Sequence, residues 1–321
     1  IMSFNLKDYI FKLKIVIILI EWSKKTILPG FDKLPLYYVV TFFIKAMQKG
    51  ALTTRASALA FNYLMAIFPA IIFLFTLIPY IPIENFQNEI FHLLEEVLPY
   101  NAFEATKSTI EDILQQQRGG LLSIGFAFAL YFSTNGVLAM MNAFNVSYYS
   151  IETRSVLQQR LIALILVIIL STLLLIAVSL IIFSSTAIHY LVKFNIIKDS
   201  LTLILLRIGE WIIIVALFFF AYSFLYYYGP SKRMKYRFIS AGSTLATLLT
   251  IISSIGFAYF VNNFSQYNKL YGSIGTLIVV MLWLYITSLV LLIGFELNAS
   301  ISRAKDSLGN INNKIIEEEV S

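Results

Sequence analysis

Two charged side chains stand three residues apart in an otherwise apolar stretch, Arg207 and Glu210 within residues 201–228. At that spacing they share one face of a helix. Charge is costly inside a membrane, so such a pair either lines a polar cavity or clamps neighbouring helices. A cavity of this chemistry would take an anionic or zwitterionic headgroup. A second polar group surrounds Asn135–Gly136, with Ser133 and Thr134 before it and Asn142 and Asn145 after it. Glycine weakens a helix and carboxamides offer hydrogen bonds, so the segment is expected to break here. Broken helices at mid-membrane often line binding sites, although small residues also serve plain helix contact. Arg207, Glu210, Asn135 and Asn142 are therefore candidate substrate-binding residues.

A third set lies at segment ends: Arg55, Asn62, Arg154, Glu296 and Asn298. All five fall near one membrane surface in the topology below. Glu296 has Arg55 or Arg154 as a partner of opposite charge. The cluster reads as a cytoplasmic gate or as a static clamp. No catalytic residue, metal site or cofactor is expected. Cysteine is absent, and the two histidines, His92 and His189, have no carboxylate pattern of a metal hydrolase around them. No nucleophile elbow, phosphate-binding glycine loop or dinucleotide fingerprint occurs.

The elements that must position these residues are six apolar segments. The chain of 321 residues is 59% hydrophobic and only 13% charged, about half the charge of an average soluble domain. Leu161–Phe183 has Ser171, Thr172 and Ser179 as its only polar members. A helix greasy all round and long enough for a ~30 Å hydrocarbon layer reads as a span. The expected spans are 57–80, 121–144, 161–183, 201–228, 238–261 and 274–298, with a kink at Pro69. The fold class is an all-α integral membrane protein, with one six-span domain over 57–300.

Segments on the side of the termini hold 18 lysines and arginines, and the opposite side holds 5. The positive-inside rule then places both termini in the cytoplasm of a multi-pass protein. Topology accounts for the net charge of +6, so no nucleic-acid partner is expected. The turn Lys232, Arg233, Lys235, Arg237 lies on the cytoplasmic side, where anionic headgroups or plain solvation await it.

Residues 1–56 are expected to hold interfacial amphipathic helices. The run Ile15–Ile20 is too short to cross, and no small-residue cleavage site follows it. In 35–50 the stripe Leu36, Val40, Phe43, Met47 has helical spacing and faces lipid or protein. Residues 81–120 carry seven acids and two amphipathic patterns separated by Pro99 and Asn101. An outer helical hairpin is expected, as a span-end cover, a lid or a cation attractor. Residues 301–321 read as a frayed cytoplasmic tail. Gly242 and Ala246 have small-xxx-small spacing.

Several strings occur together in a fixed order. They are Arg55–Phe61 (RASALAF), Ser133–Gly136 (STNG), Glu152–Arg154 (ETR), Tyr228–Pro230 (YGP), Tyr267–Gly275 (YNKLYGSIG), Trp283–Tyr285 (WLY) and Gly294–Asn298 (GFELN). In that order and frame, residues 40–300 resemble the YihY/BrkB family of bacterial inner-membrane proteins. Ala241 and Phe295 depart from the family's usual proline and small residue. The resemblance implies bacterial plasma-membrane localisation and a transporter or flippase-like role without an ATPase, exporting a lipid or other amphiphile. Membrane lipids and an amphiphilic substrate are the implied partners. A structural or assembly role in the envelope is the alternative. The family's old label, ribonuclease BN, implies a tRNA nuclease, and the residues here supply no metal set or acid–base pair for one.

Overall fold

The computed structural model describes residues 14–49, 51–80, 116–147, 152–194, 200–231, 238–263 and 273–320, with isolated residues between 88 and 112. The helices are α1 Lys14–Lys25, α2 Leu36–Lys49, α3 Leu52–Leu77, α4 Gly119–Ser147, α5 Val156–Lys193, α6 Ser200–Tyr228, α7 Ala241–Asn263 and α8 Ser273–Val320. A short 3-10 turn, Ile78–Tyr80, extends α3. Six helices are long and apolar enough to cross a membrane, over Leu52–Tyr80, Gly119–Ser147, Val156–Ile181, Ile204–Tyr228, Ala241–Asn262 and Gly275–Ser307. The all-α, six-span architecture is as expected. The boundaries shift because helices run on past the hydrocarbon-length core of each segment. The outer hairpin and the basic turn 232–237 fall outside the described residues, as does most of Tyr267–Gly275.

Two local expectations are corrected. Asn135–Gly136 does not break its span: α4 is continuous from Gly119 to Ser147. Gly136 is buried, and a Cβ there would meet the Tyr63 ring at 3.1 Å, so it is a helix contact. Pro69, where a kink is expected, lies inside α3. The tail is not frayed at 301. Helix α8 continues to Val320, and Ile301 and Ala304 are buried.

What holds α8 beyond the span is the N-terminal segment. Val39 is fully buried, and it clusters with Phe31, Leu34, Ile301 and Ala304. The predicted stripe on α2 is thereby rotated. Val39 and Ala46 are buried while Val40 is exposed, because the face that matters packs on α8. Helix α1 keeps Ile18, Leu19 and Trp22 exposed, as an interfacial helix does.

The six spans form a ring. Each packs on its neighbours in sequence, and α8 closes against α3 while also touching α4. Even spans put both chain ends on one side, here called basal. The main buried cluster lies in the basal halves of the spans, from Leu59 and Phe144 to Leu166, Tyr226, Ala246 and Phe295, with Val290 at mid-span. Phe295 stacks on Phe144 with ring centroids 4.0 Å apart, and Tyr226 meets both edge-on. Lipid and side chains are equally apolar, so close packing and interhelical hydrogen bonds supply the cohesion. Tyr226 donates to Leu291 O at 2.8 Å, and the Tyr222 hydroxyl lies 2.7 Å from that of Thr250. In the distal halves, buried residues among those described are few: Thr76, Ile78, Pro79, Gly125 and Gly275, with Ser288 and Val290 close to the middle of α8's span.

Candidate functional site

At the basal end the sequence places arginines and carboxylates where three helix termini converge. Glu296, on α8, is 1% exposed. Arg55, one turn into α3, brings Nη2 to 3.7 Å from Glu296 Oε2. Its Nη1 donates to Ala143 O at 2.9 Å and Ser147 Oγ at 2.6 Å. Ala143 sits near the C-terminus of α4, so a cation there meets the negative end of the helix dipole. Arg303 Nη2 lies 2.5 Å from Glu296 Oε1. Glu296 is thus held between two arginines from α3 and α8.

A second knot lies beside it. Arg154 grips Glu152 bidentately, Nε to Oε1 and Nη2 to Oε2, both at 2.8 Å. Such paired geometry is the strong form of the charge-assisted bond. Arg154 Nη2 also donates to Gly229 O at 3.0 Å, just past the end of α6. Asn145 Nδ2 donates to Glu152 Oε2, and Asn145 Oδ1 accepts from Ser231 N–H. The Arg154 side chain, its backbone N–H and Asn145 hold the Glu152 carboxyl down to about 2, against the partial burial that raises it.

That shift has a testable sign. The unfolded carboxyl takes its proton near 4.5, and the folded one resists until about 2. The knot therefore stabilises fully above the unfolded value and loses that stabilisation as pH falls towards 2. Glu152→Gln should melt below the native chain at about pH 6, and the gap should narrow by about pH 2.5. Melting curves in detergent at both pH values check it. A gap that is constant with pH contradicts it.

A third contact joins α7 to α8. Asn298 Oδ1 accepts the Gly242 N–H at 2.8 Å, and Asn298 Nδ2 donates to Ser240 Oγ at 2.8 Å. Asn298 therefore caps the first turn of α7 from a neighbouring helix.

Of the five residues expected at this end, Arg55, Glu296 and Asn298 meet α8 contacts directly. Arg154 joins Glu152, not Glu296. Asn62 is spent locally, donating to Ala58 O at 2.8 Å. Arg303, Glu152 and Asn145 complete the knots and were not among the candidates. Glu296 and Arg303 are seven residues apart, two turns on one helical face. That signal was readable once α8 was known to continue.

The membrane candidates scatter. Asn142 is exposed and Asn135 half-buried on α4. Arg207 is exposed on α6, and Glu210 accepts from Ser184 Oγ of α5 at 2.9 Å. Basal to Glu210, α5 and α6 enclose an apolar slot of about 170 Å³, floored by Leu170, Leu174, Ala177, Ile214, Leu217 and Phe218. Ile214 lies one turn from Glu210, so slot and charges follow one helix edge. Among the described residues no three His, Asp or Glu side chains are grouped to hold a metal ion.

Comparison with known proteins places this geometry. The pattern of the family described as virulence factor BrkB matches residues 43–314. The chain is 31% identical over 252 residues to the ribonuclease-like protein YfkH of Bacillus subtilis, covering 78% of this chain and 90% of the relative. It is 25% identical over 274 residues to a UPF0761 membrane protein of Aliivibrio salmonicida, covering 84% of each. No solved structure matches.

Proposed function

Since this chain belongs to the BrkB family, we propose that it is a bacterial plasma-membrane transporter, a flippase-like exporter of a lipid or other amphiphile, with both termini cytoplasmic. The observation that carries this reading is the lopsided core. Among the described residues the six-helix ring is packed at the basal end, where Arg55 and Glu296 pair between α3 and α8, while its distal halves bury little between them. That is the form of an alternating-access bundle resting with one end sealed. The knots around Glu296 and Glu152 are the seal. Parting Glu296 from Arg55 requires the basal ends of α3 and α8 to move apart.

The α5–α6 edge supports the amphiphile. An apolar slot with Glu210, Ser184 and exposed Arg207 at its distal end matches a chain and a charged head. Asn135 and Asn142 have no part in this version of the site. The sequence holds no nucleotide-binding loop, so the drive would come from a gradient, a partner or the cargo's own imbalance. The ribonuclease-like name of the Bacillus subtilis relative fits these residues poorly. A nuclease needs carboxylates open to water and metal, and Glu152 and Glu296 are gripped by arginines.

Proteoliposomes test the proposal. Headgroup-labelled phospholipid should exchange between leaflets faster than in protein-free vesicles. Arg207→Ala should slow that exchange roughly fivefold, the effect of one basic residue on an anionic headgroup. Exchange no faster than in empty vesicles rejects transport. A stable co-purifying partner in that case leaves the envelope-assembly role.

A further inference from the structure

A second described cavity lies at the outer edge of the basal end. It holds about 370 Å³ between the 27–33 loop, the start of α7 and the basal part of α8. Its rim is apolar: Ile27 and Ile239 are 53% and 64% exposed, with Leu28 beside them. Its floor is polar, with Ser240 and Asn298 already bonded to each other. Two charges line it, Asp32 and Lys33.

The cavity is preformed. Gly30, Asp32 and Lys33 all have positive φ, at 84°, 50° and 65°. Non-glycine residues hold that conformation only where the surroundings enforce it. Here buried Phe31 and Leu34 pin the loop to Ile301 and Ala304. Asp32 is neutralised by Lys305, Nζ to Oδ2 at 2.8 Å. Lys33 is exposed, so with Asp32 paired to Lys305 outside the lining, the ammonium of Lys33 is the charge left to face a ligand.

We propose that this cavity binds the phosphate-bearing headgroup of a glycerophospholipid from the basal leaflet. Lys33 meets the phosphate, and Ile27, Leu28 and Ile239 lie against the first methylenes of the acyl chains. An apolar rim around a cationic polar pocket, at the level where chain gives way to headgroup, has the layered polarity of that ligand. Ser240 and Asn298 are already bonded to each other, so discrimination between charged and uncharged lipids falls to Lys33. The site does not depend on transport. It needs only a membrane around the protein.

Native mass spectrometry of the full chain, released from detergent with phosphatidylglycerol, is the test. Wild type should retain phosphatidylglycerol. Lys33→Gln should weaken retention roughly fivefold, as one basic residue is lost at an anionic group. Ile239→Trp, at an exposed position, should weaken it by filling the mouth. Both variants should melt at the wild-type temperature, which separates ligand loss from misfolding. Equal retention by wild type and both variants overturns the site. So does equal retention of uncharged diacylglycerol, which would make the pocket merely apolar. Stabilisation by inorganic phosphate as large as by the lipid would make it an anion site and overturn the lipid assignment.

Discussion

Glu296→Ala is expected to cost about 3–5 kcal/mol of stability, the range for removing one partner from a buried ion cluster. The carboxylate is 1% exposed and sits between Arg55 and Arg303. Without it the two guanidinium groups face each other across a gap that water enters poorly. Arg303 is 19% exposed on its side chain, so some solvent reaches that edge, which places the loss towards the lower end of the range. Replacing the charges together should be far milder. Apolar side chains of similar volume often match a buried pair in stability. Arg55→Met with Glu296→Met and Arg303→Met should therefore recover much of the loss. If the seal works as proposed, this stable triple variant should still leak or exchange lipid abnormally. Denaturant titration in micelles gives the first quantity and vesicle flux the second. A single variant as stable as wild type would mean that Glu296 does not hold the basal end.

Gly294→Val should be strongly damaging to the α7–α8 contact. A Cβ at Gly294 would lie 2.5 Å from the Tyr226 hydroxyl oxygen, 2.7 Å from the Ala246 Cβ and 2.7 Å from the Gly242 carbonyl oxygen. The carbonyl is backbone and cannot step aside, so α7 and α8 would have to part. Overpacking costs about 1–3 kcal/mol when side chains can adjust, and here the upper end is expected. The Tyr226 bond to Leu291 O and the Asn298 cap on Gly242 would strain with it. Gly256→Ala is the matched control. Nothing lies within 4 Å of a Cβ there, so exchange should stabilise the helix by about 0.5–1 kcal/mol. Melting temperatures of the two variants should move in opposite directions. Parallel movement would indicate that the α7–α8 contact is looser than drawn.

The spans were legible because the bilayer imposes a length and a polarity that survive any packing. Leu161–Phe183 could be read with no knowledge of its neighbours. The pairing of Glu296 with Arg55 was also within reach, since both fall at the basal ends of spans and an intramembrane carboxylate needs a cation. Arg303 was out of reach for a definite reason. Polarity beyond residue 300 resembles a tail, and only the docking of Phe31, Leu34 and Val39 on Ile301 and Ala304 keeps that stretch helical and ordered at the seal. Asn135–Gly136 misled in the opposite direction. Glycine beside a carboxamide weakens an isolated helix, but in α4 it admits the Tyr63 ring, and packing overrides propensity.

Composition and periodicity alone determined that this protein is a six-helix membrane domain with its basic residues gathered on one side. Hydrophobic length and charge bias are properties of each segment by itself, so no fold is needed to read them. Which helices neighbour which, and where the core lies, was decided only in three dimensions. Closure of the ring between α3 and α8, the concentration of burial at the basal end and the cavity beside Lys33 all depend on contacts between residues far apart in the chain. Among apolar surfaces that differ little from lipid, small residues and a few buried charges choose the partners, and their choice is visible only when both sides of each contact are present.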